Sequence, residues 1–349
     1  MPTALRRPTL TDVAAHAGVS KATASAALNA SAAVRAATRD RVLAAAEALA
    51  YRPPAAAGAA AGGRATRAIG LVIKEDDNPY YAGLVAGARA VADTHEFVLL
   101  VASSEGDVRA ERRAVELLQA KEADGLLLTP VLGDADGADL SPLFDLKRRG
   151  VPFVLLEAVR GVPASLVDVD NVRAACAAAE HLVALGHTRL AHVAGPAYST
   201  HTHERVQGVR HAASASAAVF PDAHVIPAGA HLEDGYRAAR RFFEAVPAAE
   251  RPTGVTCYND LVAVGVCRAL RELGLRVPAD VSVVGFDDIP LAAYLDVPLT
   301  SVRVPVGAMG ARAAELLVAR MAAGAAAPPE RHLLQAELVV RASTAPPSA

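Results

Sequence analysis

Between Ile69 and Phe286, short apolar runs alternate with stretches whose apolar residues recur at helical spacing. A first series runs Ile69 to Ile73, Tyr81 to His95, Phe97 to Ala102, Glu111 to Lys121, Gly125 to Thr129 and Val151 to Leu156. A second runs Leu166 to Val169, Ala174 to Leu185, Leu190 to Ala194, His203 to Ala213, Gly235 to Glu244, Gly254 to Tyr258, Leu261 to Leu273 and Val281 to Phe286. Strand-sized runs separated by helices form parallel sheets with helices on both faces. Two series therefore predict an α/β body of two doubly wound parallel-sheet lobes, the first over about 67–160 with 290–322 and the second over about 161–289 with 323–345. Open parallel sheets bind ligands beyond the carboxyl ends of their strands. The turns after Ile73, Leu156, Val169, Ala194, Tyr258 and Phe286 are where a site belongs.

With 349 residues, 52% of them hydrophobic, the chain has material for two or three domains. No apolar run reaches the roughly 18 residues of a membrane span, and the basic start Met1 to Pro8 is followed by no apolar core of a signal peptide. The expectation is a cytoplasmic protein without a membrane partner. Cys176, Cys257 and Cys267 are too few and too scattered for a disulfide framework or a zinc site. The net charge of −2 conceals a segregation: residues 1–67 carry nine Lys and Arg against three Asp and Glu, and the remainder carries 26 against 34. Arginine number alone proves little in so Ala- and Arg-rich a chain, but a basic head on an acidic body points to a head that meets a polyanion.

Residues 1–51 read as a small all-α head. Thr9 and Asp12 have capping-box spacing ahead of a first helix that Gly18 stops. Ser20 starts a second helix, Lys21 to Leu28, which Asn29 can close. A third, Thr38 to Ala50, places Val42, Leu43, Ala46 and Leu49 on one face. Two short helices around a tight Gly-containing turn match a helix-turn-helix, whose second helix reads base edges in the major groove, though an ordinary three-helix cap would give the same pattern. Residues 52–66 lack any large apolar side chain and read as a hinge or linker.

The run Thr9 to Ser20, followed by Thr23-Ala24-Ser25, Leu28-Asn29, Thr38-Arg39 and Ala50-Tyr51-Arg52-Pro53, resembles the head of the lactose-repressor/galactose-repressor family of bacterial transcription regulators. The resemblance implies DNA contacts from Thr9, Ser20, Lys21, Ala22, Thr23, Ser25, Ala26, Asn29 and Tyr51, and from Ala57 and Ala60 in the hinge. Lys21, Ala22 and Ala26 match the reading positions; Thr23 and Ser25 lie where hydroxyls meet phosphates. Lys21 suits either a guanine or a phosphate, and Ala26, where the family often has Arg or His, offers only a methyl contact. In the hinge, Pro54, Gly58 and Ala60 replace the Asn, Arg and wedging Leu usual in the family. A small Ala60 and three glycines in this stretch imply DNA binding with little kinking.

The body resembles the same family's regulatory core, itself similar to periplasmic sugar-binding proteins. The residues that carry this are Asn78-Pro79-Tyr80-Tyr81, Asp124-Gly125, Asp170-Asn171, Leu185-Gly186-His187, Arg205 with Gly208, Asn259-Asp260, Val284 to Asp288 and Leu299 to Val302. By resemblance, Asn78, Tyr80, Tyr81, Glu157, Asp170, Arg205, His231, Asn259 and Asp287 contact a small polar effector between the lobes. Chemically, Tyr80 offers a ring face, Arg205 a planar fork, and Asn259 and Asp287 partners for vicinal hydroxyls. Tyr81 serves equally as packing between helix and sheet, and Asp170, Asp260 and Asp288 equally as caps or turn residues. Glu157-Ala158 stands where sugar-binding relatives often have Asp-Arg, Val304 replaces a frequent polar residue, and His231 sits where an aromatic often stacks. A sugar-like or nucleoside-like effector fits.

His201-x-His203 with Glu204 is the best metal candidate, but one i, i+2 pair with no second cluster reads as solvated loop histidines. No nucleophile, phosphate loop or dinucleotide fingerprint accompanies Asp287-Asp288, so neither catalysis, cofactor nor metal is expected. The resulting expectation is a sequence-specific DNA-binding regulator, a repressor controlled by a small effector. It acts on operator DNA as a homodimer formed through the first lobe, near the helix that begins at Tyr81. A cytoplasmic solute-binding module with a degenerate head is the alternative.

Overall fold

The computed structural model describes residues 9–28, 34–49, 66–131, 140–324 and 328–348. The chain forms two compact units, Met1–Thr66 and Arg67–Ala349.

In the head, α1 (Leu10–Ala17), α2 (Lys21–Leu28) and α3 (Ala36–Ala48) pack on one another. The Thr9 backbone N–H and hydroxyl both donate to Asp12 at 2.7 and 2.6 Å, closing the capping box on α1. Gly18, at φ +65°, ends α1 in the left-handed region that residues with a Cβ avoid. Val13, Ala14, Ala24, Ala27, Val42, Ala45 and Ala46 form the core. The stripe on α3 is Val42, Ala45, Ala46 and Leu49; Leu43, expected on that face, is 47% exposed because it lies about 100° off a 42/45/46/49 row.

In the body, the strands are β1 (Ala68–Ile73), β2 (Val98–Ser103), β3 (Gly125–Leu128), β4 (Phe153–Leu155), β5 (Ser165–Val169), β6 (Leu190–Ala194), β7 (Val225–Pro227), β8 (Gly254–Cys257), β9 (Ser282–Asp287), β10 (Thr300–Arg303), β11 (Arg331–Leu334) and β12 (Glu337–Val339). They form two six-stranded sheets in the orders β11-β5-β4-β3-β1-β2 and β12-β10-β9-β8-β6-β7. All pairings are parallel except β10 with β12. The helices are α4 (Pro79–Thr94), α5 (Val108–Ala120), α6 (Ser141–Arg148), α7 (Asn171–Ala184), α8 (Thr200–Ser214), α9 (Leu232–Ala245), α10 (Asp260–Glu272) and α11 (Val306–Ala323). Every residue of β1 and β9 is buried, as central strands covered on both faces require.

The lobe boundaries differ from those expected. β5, expected in the second lobe, completes the first sheet, with Val154 opposite Ser165 and Leu155 opposite Leu166. The segment 290–322 divides: the turn Pro290–Ala293 and β10 belong to the second lobe, and only α11 to the first. The segment 323–345 divides too, β11 joining the first sheet and β12 the second. An apolar run announces a strand, but its sheet is fixed by edge pairing that leaves no mark in the run itself. The chain thus crosses between lobes at 169–171, 303–306 and 334–337.

Helices pair closely across small residues. A Cβ at Gly87 of α4 would fall 1.9 Å from the Gly307 carbonyl oxygen of α11, and one at Gly208 of α8 would fall 2.3 Å from that of Val172 in α7. These contacts hold α4 against α11 and α8 against α7, and α4 and α8 carry cleft residues in their first two turns.

Candidate functional site

The carboxyl ends of both sheets face one cleft, with about 560 Å³ of empty space counting the open solvent at its mouth. The first lobe supplies Lys74 and Glu75 after β1, Asn78, Tyr80 and Tyr81 at the start of α4, Thr129 after β3, and Leu156 and Glu157 after β4. Pro196 and Tyr198 after β6, His201 and Arg205 on α8, Ala230 after β7, Tyr258 and Asn259 after β8, and Asp287 line it from the second.

Two helix starts hold their side chains by capping. Asn78 accepts from the Tyr80 N–H at 3.1 Å and donates to Glu75 at 3.0 Å. Asn259 accepts from the Val262 N–H at 2.8 Å and donates to the Ala230 carbonyl at 2.9 Å. Tyr80 and Tyr81 meet edge to face, ring centroids 5.1 Å apart.

Arg205 is the centre of the second-lobe wall. Its Nε donates to Asn171 Oδ1 at 3.0 Å and one terminal nitrogen donates to the Tyr258 carbonyl. Its plane lies 3.6 Å from the Phe286 ring centroid and 4.8 Å from that of Tyr258, a stacked cation in a low-dielectric wall. Asp287 closes β9 at φ +105°, a conformation costing a non-glycine residue about 1–3 kcal/mol and found at ligand clamps. Burial pushes its carboxyl up to about 7 despite the opposing pull of Arg205 and His201.

In the first-lobe wall Lys74 and Glu157 form an ion pair with side chains 8% and 2% exposed. Burial works against both charges. For Glu157, Lys74 and His201 outweigh it, with hydrogen bonds from Lys74 and from Ser199 (2.7 Å), and hold the carboxyl down at about 2. Lys74 is held above the usual lysine range: burial lowers it, and the Glu157 charge and hydrogen bond together with the Tyr258 and Tyr198 phenols outweigh burial. Burial also raises the Tyr80 and Tyr81 phenols, with Asp287 adding to the first and Glu75 to the second.

Of the nine residues expected at the effector, Asn78, Tyr80, Tyr81, Glu157, Arg205, Asn259 and Asp287 line the cleft together. Asp170 does not: it caps α7, accepting from the Arg173 N–H at 3.0 Å. His231 is half exposed, its Nε2 4.0 Å from Glu75. Asp260 and Asp288 serve structure. Asp260 accepts from the Ser301 hydroxyl at 2.6 Å and the Ile289 N–H at 2.8 Å, and Asp288 pairs with Arg303 and Arg341.

The largest correction concerns His201. It is no loop histidine but lies in the first turn of α8, 12% exposed, with Nε2 2.9 Å from Asp168 of β5. His203, in contrast, is exposed and bonds the Ala197 carbonyl. Lys74, Glu75 and Tyr198 were also missed, although all three sit in strand-end turns that the alternation marks.

In the head, Ser20 accepts from the Thr23 N–H at 3.1 Å and its hydroxyl bonds that of Thr23 at 2.8 Å, fixing the start of α2. Lys21 and Ala22 are exposed there, and Ser25 and Ala26 are half-buried one turn on. Asn29, Tyr51, Ala57 and Ala60 lie outside the described residues.

A helix-turn-helix unit joined to a two-lobed body with a strand-end cleft defines a ligand-responsive DNA-binding regulator. Residues 9–54 match the model of bacterial regulatory proteins of the lacI family, and residues 179–344 that of the periplasmic binding protein-like domain. The chain is 36% identical over 341 residues to the HTH-type transcriptional regulator MalR of Streptomyces coelicolor, covering 96% of each. Its fold is similar to that of a transcriptional regulator CelR–cellobiose complex, with a TM-score of 0.72, 33% identity and coverage of 97% of this chain and 100% of that one. The lac repressor dimer bound to operator and the anti-inducer ONPF matches with a TM-score of 0.68 and 28% identity, covering 97% and 100%. The chain belongs to the lacI family of bacterial regulatory proteins. It is accordingly a DNA-binding transcriptional regulator with a small-molecule effector, and its relatives are regulators rather than enzymes. Among the described residues no helix is long and apolar enough to cross a membrane.

Proposed function

We propose that the chain is a homodimeric, cytoplasmic repressor whose effector is a neutral sugar of one or two rings, bound by the seven expected cleft residues together with Glu75, Tyr198 and Tyr258. One observation carries the choice of ligand. Each cation lining the cleft already has a partner: Lys74 has Glu157, His201 has Asp168, and Arg205 has Asn171 and the Tyr258 carbonyl. The Glu75 and Asp287 carboxyls remain to receive hydroxyl protons, and tyrosine faces remain to cover a ring. A phosphate would meet both carboxyls, with Arg205 the one lining cation whose partners are neutral. The CelR–cellobiose complex supports the same ligand class.

The sugar is bound and not turned over. Ser199 is fully buried and does not line the cleft, and its hydroxyl donates to a Glu157 carboxylate held near 2, which is too weak a base to activate it. A thermal-shift screen over neutral sugars, sugar phosphates and nucleosides tests the ligand class, and stabilisation by a phosphate or nucleoside above any neutral sugar overturns it. Gel shift against the DNA flanking the gene, with a salt titration, tests the regulator, and salt-independent or sequence-blind binding defeats it.

The dimer surface is assigned to the first lobe. At the sheet edge β2, which packs against both α4 and α5, exposes Val98 at 61% and Val101 at 41% on its two faces. Exposed apolar edges of this kind mark interfaces. Replacing both valines by arginine is expected to convert dimer to monomer in sedimentation at micromolar concentration and to weaken operator binding by at least about tenfold, since two heads no longer act together. In the head, Lys21→Ala is expected to weaken binding. A uniform loss with a salt slope smaller by about 1 identifies a phosphate contact, and a loss confined to one base pair a guanine contact.

A further inference from the structure

Polar contacts joining the two lobes gather at the start of α8, where the Thr200 hydroxyl donates to the Ala158 carbonyl at 3.0 Å and His201 carries the one titratable side chain. Its Nε2 lies 2.9 Å from Asp168 of β5 and its Nδ1 4.0 Å from Glu157 beyond β4. Its backbone N–H and the Ser199 hydroxyl reach Glu157 at 3.4 and 2.7 Å. His201 and Ser199 belong to the second lobe, and both carboxylates to the first. The charges facing the imidazole are Asp168 and Glu157, with Lys74 paired to Glu157, Arg205 and Glu204 from its own helix, and Asp287 from β9.

We propose that His201 is a positioning residue that sets how firmly the cleft closes, clamping the lobes when its imidazole is charged and loosening them when it is neutral, so that the effector response of this regulator varies with pH. An imidazolium donates from both nitrogens and attracts both carboxylates. A neutral ring keeps one N–H, and the attraction is lost. Burial disfavours the charge, but Asp168 and Glu157 outweigh it, and the group titrates above the usual histidine value. The sign follows: the clamp is fully present below about pH 6.5 and is lost as pH rises through the raised value.

The inference rests on the two-lobed cleft but not on which sugar fills it, so its test uses no sugar. Hydrogen exchange of the full chain is measured from about pH 6 to 9 for the wild type, His201→Gln and His203→Gln. The glutamine at 201 keeps a donor for Asp168 but cannot be charged. Protection of residues 165–169 and 199–205 in the wild type, relative to His201→Gln at each pH, is expected to fall by about threefold or more across this range. His203→Gln is expected to follow the wild type. Parallel pH profiles for the wild type and His201→Gln overturn the proposal. So does an NMR titration that places His201 at or below about 6.5. Asp168→Asn, which keeps the histidine and removes one charge, is expected to lower that midpoint, and an unchanged midpoint counts equally against the clamp.

Discussion

Replacing Arg205 by alanine is expected to leave operator binding intact and to abolish the response to effector. The guanidinium ties Asn171 to the Tyr258 carbonyl while stacked on Phe286 and Tyr258, so it sets the shape of the whole second-lobe wall. Hydrogen bonds to charged groups contribute about 1.5–3 kcal/mol each, and truncation leaves both acceptors buried without a donor. It also removes a cation that opposes protonation of Asp287. A loss of about 4 kcal/mol in effector binding corresponds to nearly a thousandfold in affinity. Calorimetry with the best sugar from the screen, beside gel shift with and without that sugar, checks the expectation. An affinity change below about tenfold would remove Arg205 from the site. Arg205→Lys should not rescue, because a point charge cannot serve two directions and stack.

The second large effect concerns stability. Lys74→Met leaves the buried Glu157 only Ser199 and His201 for partners, and breaking a buried pair in this way costs up to about 3–5 kcal/mol. Its pH dependence has a definite sign. The Glu157 carboxyl, held near 2 in the folded protein, contributes stability above its ordinary value of 4.5 and loses it as pH falls towards 2. The deficit of the variant is therefore largest at neutral pH and shrinks on acidification. Denaturant unfolding at about pH 7.5 and pH 4 measures both, and equal deficits at the two values would show that the pair is not the cause. Lys74→Met combined with Glu157→Gln, which removes the stranded charge, should recover most of the loss.

The parts of this protein that depend on neighbours in sequence are the ones legible in it. The Thr9–Asp12 capping box follows from a spacing of three, the Gly18 stop from its tolerance of positive φ, and the parallel architecture from alternation; the α3 stripe was legible only in part, Leu43 being exposed where Ala45 is buried. Strand-end logic located the cleft, and the family resemblance placed seven of nine residues on it. What stayed hidden depends on partners far along the chain. Glu157 lies 83 residues from Lys74, and Asp168 lies 33 from His201 in the other lobe; such pairs leave no periodic trace. Asp170 illustrates the opposite failure, since a carboxylate ahead of a helix looks the same whether it meets a ligand or the Arg173 N–H.

The three crossings between lobes also bear on how such a regulator can be remade. Because β5 and β11 return to the first sheet while β10 and β12 lie in the second, neither lobe is one contiguous stretch of the gene. A chimera that borrows another regulator's second lobe therefore needs junctions at 169–171, 303–306 and 334–337 together. A single junction at 169–171 would instead carry a foreign α11 and β11 into the first lobe. Point changes at cleft-lining positions, which lie at 74–157 and 196–287 and so outside the crossings, disturb none of these threads, which makes them the route by which this scaffold can acquire a new effector.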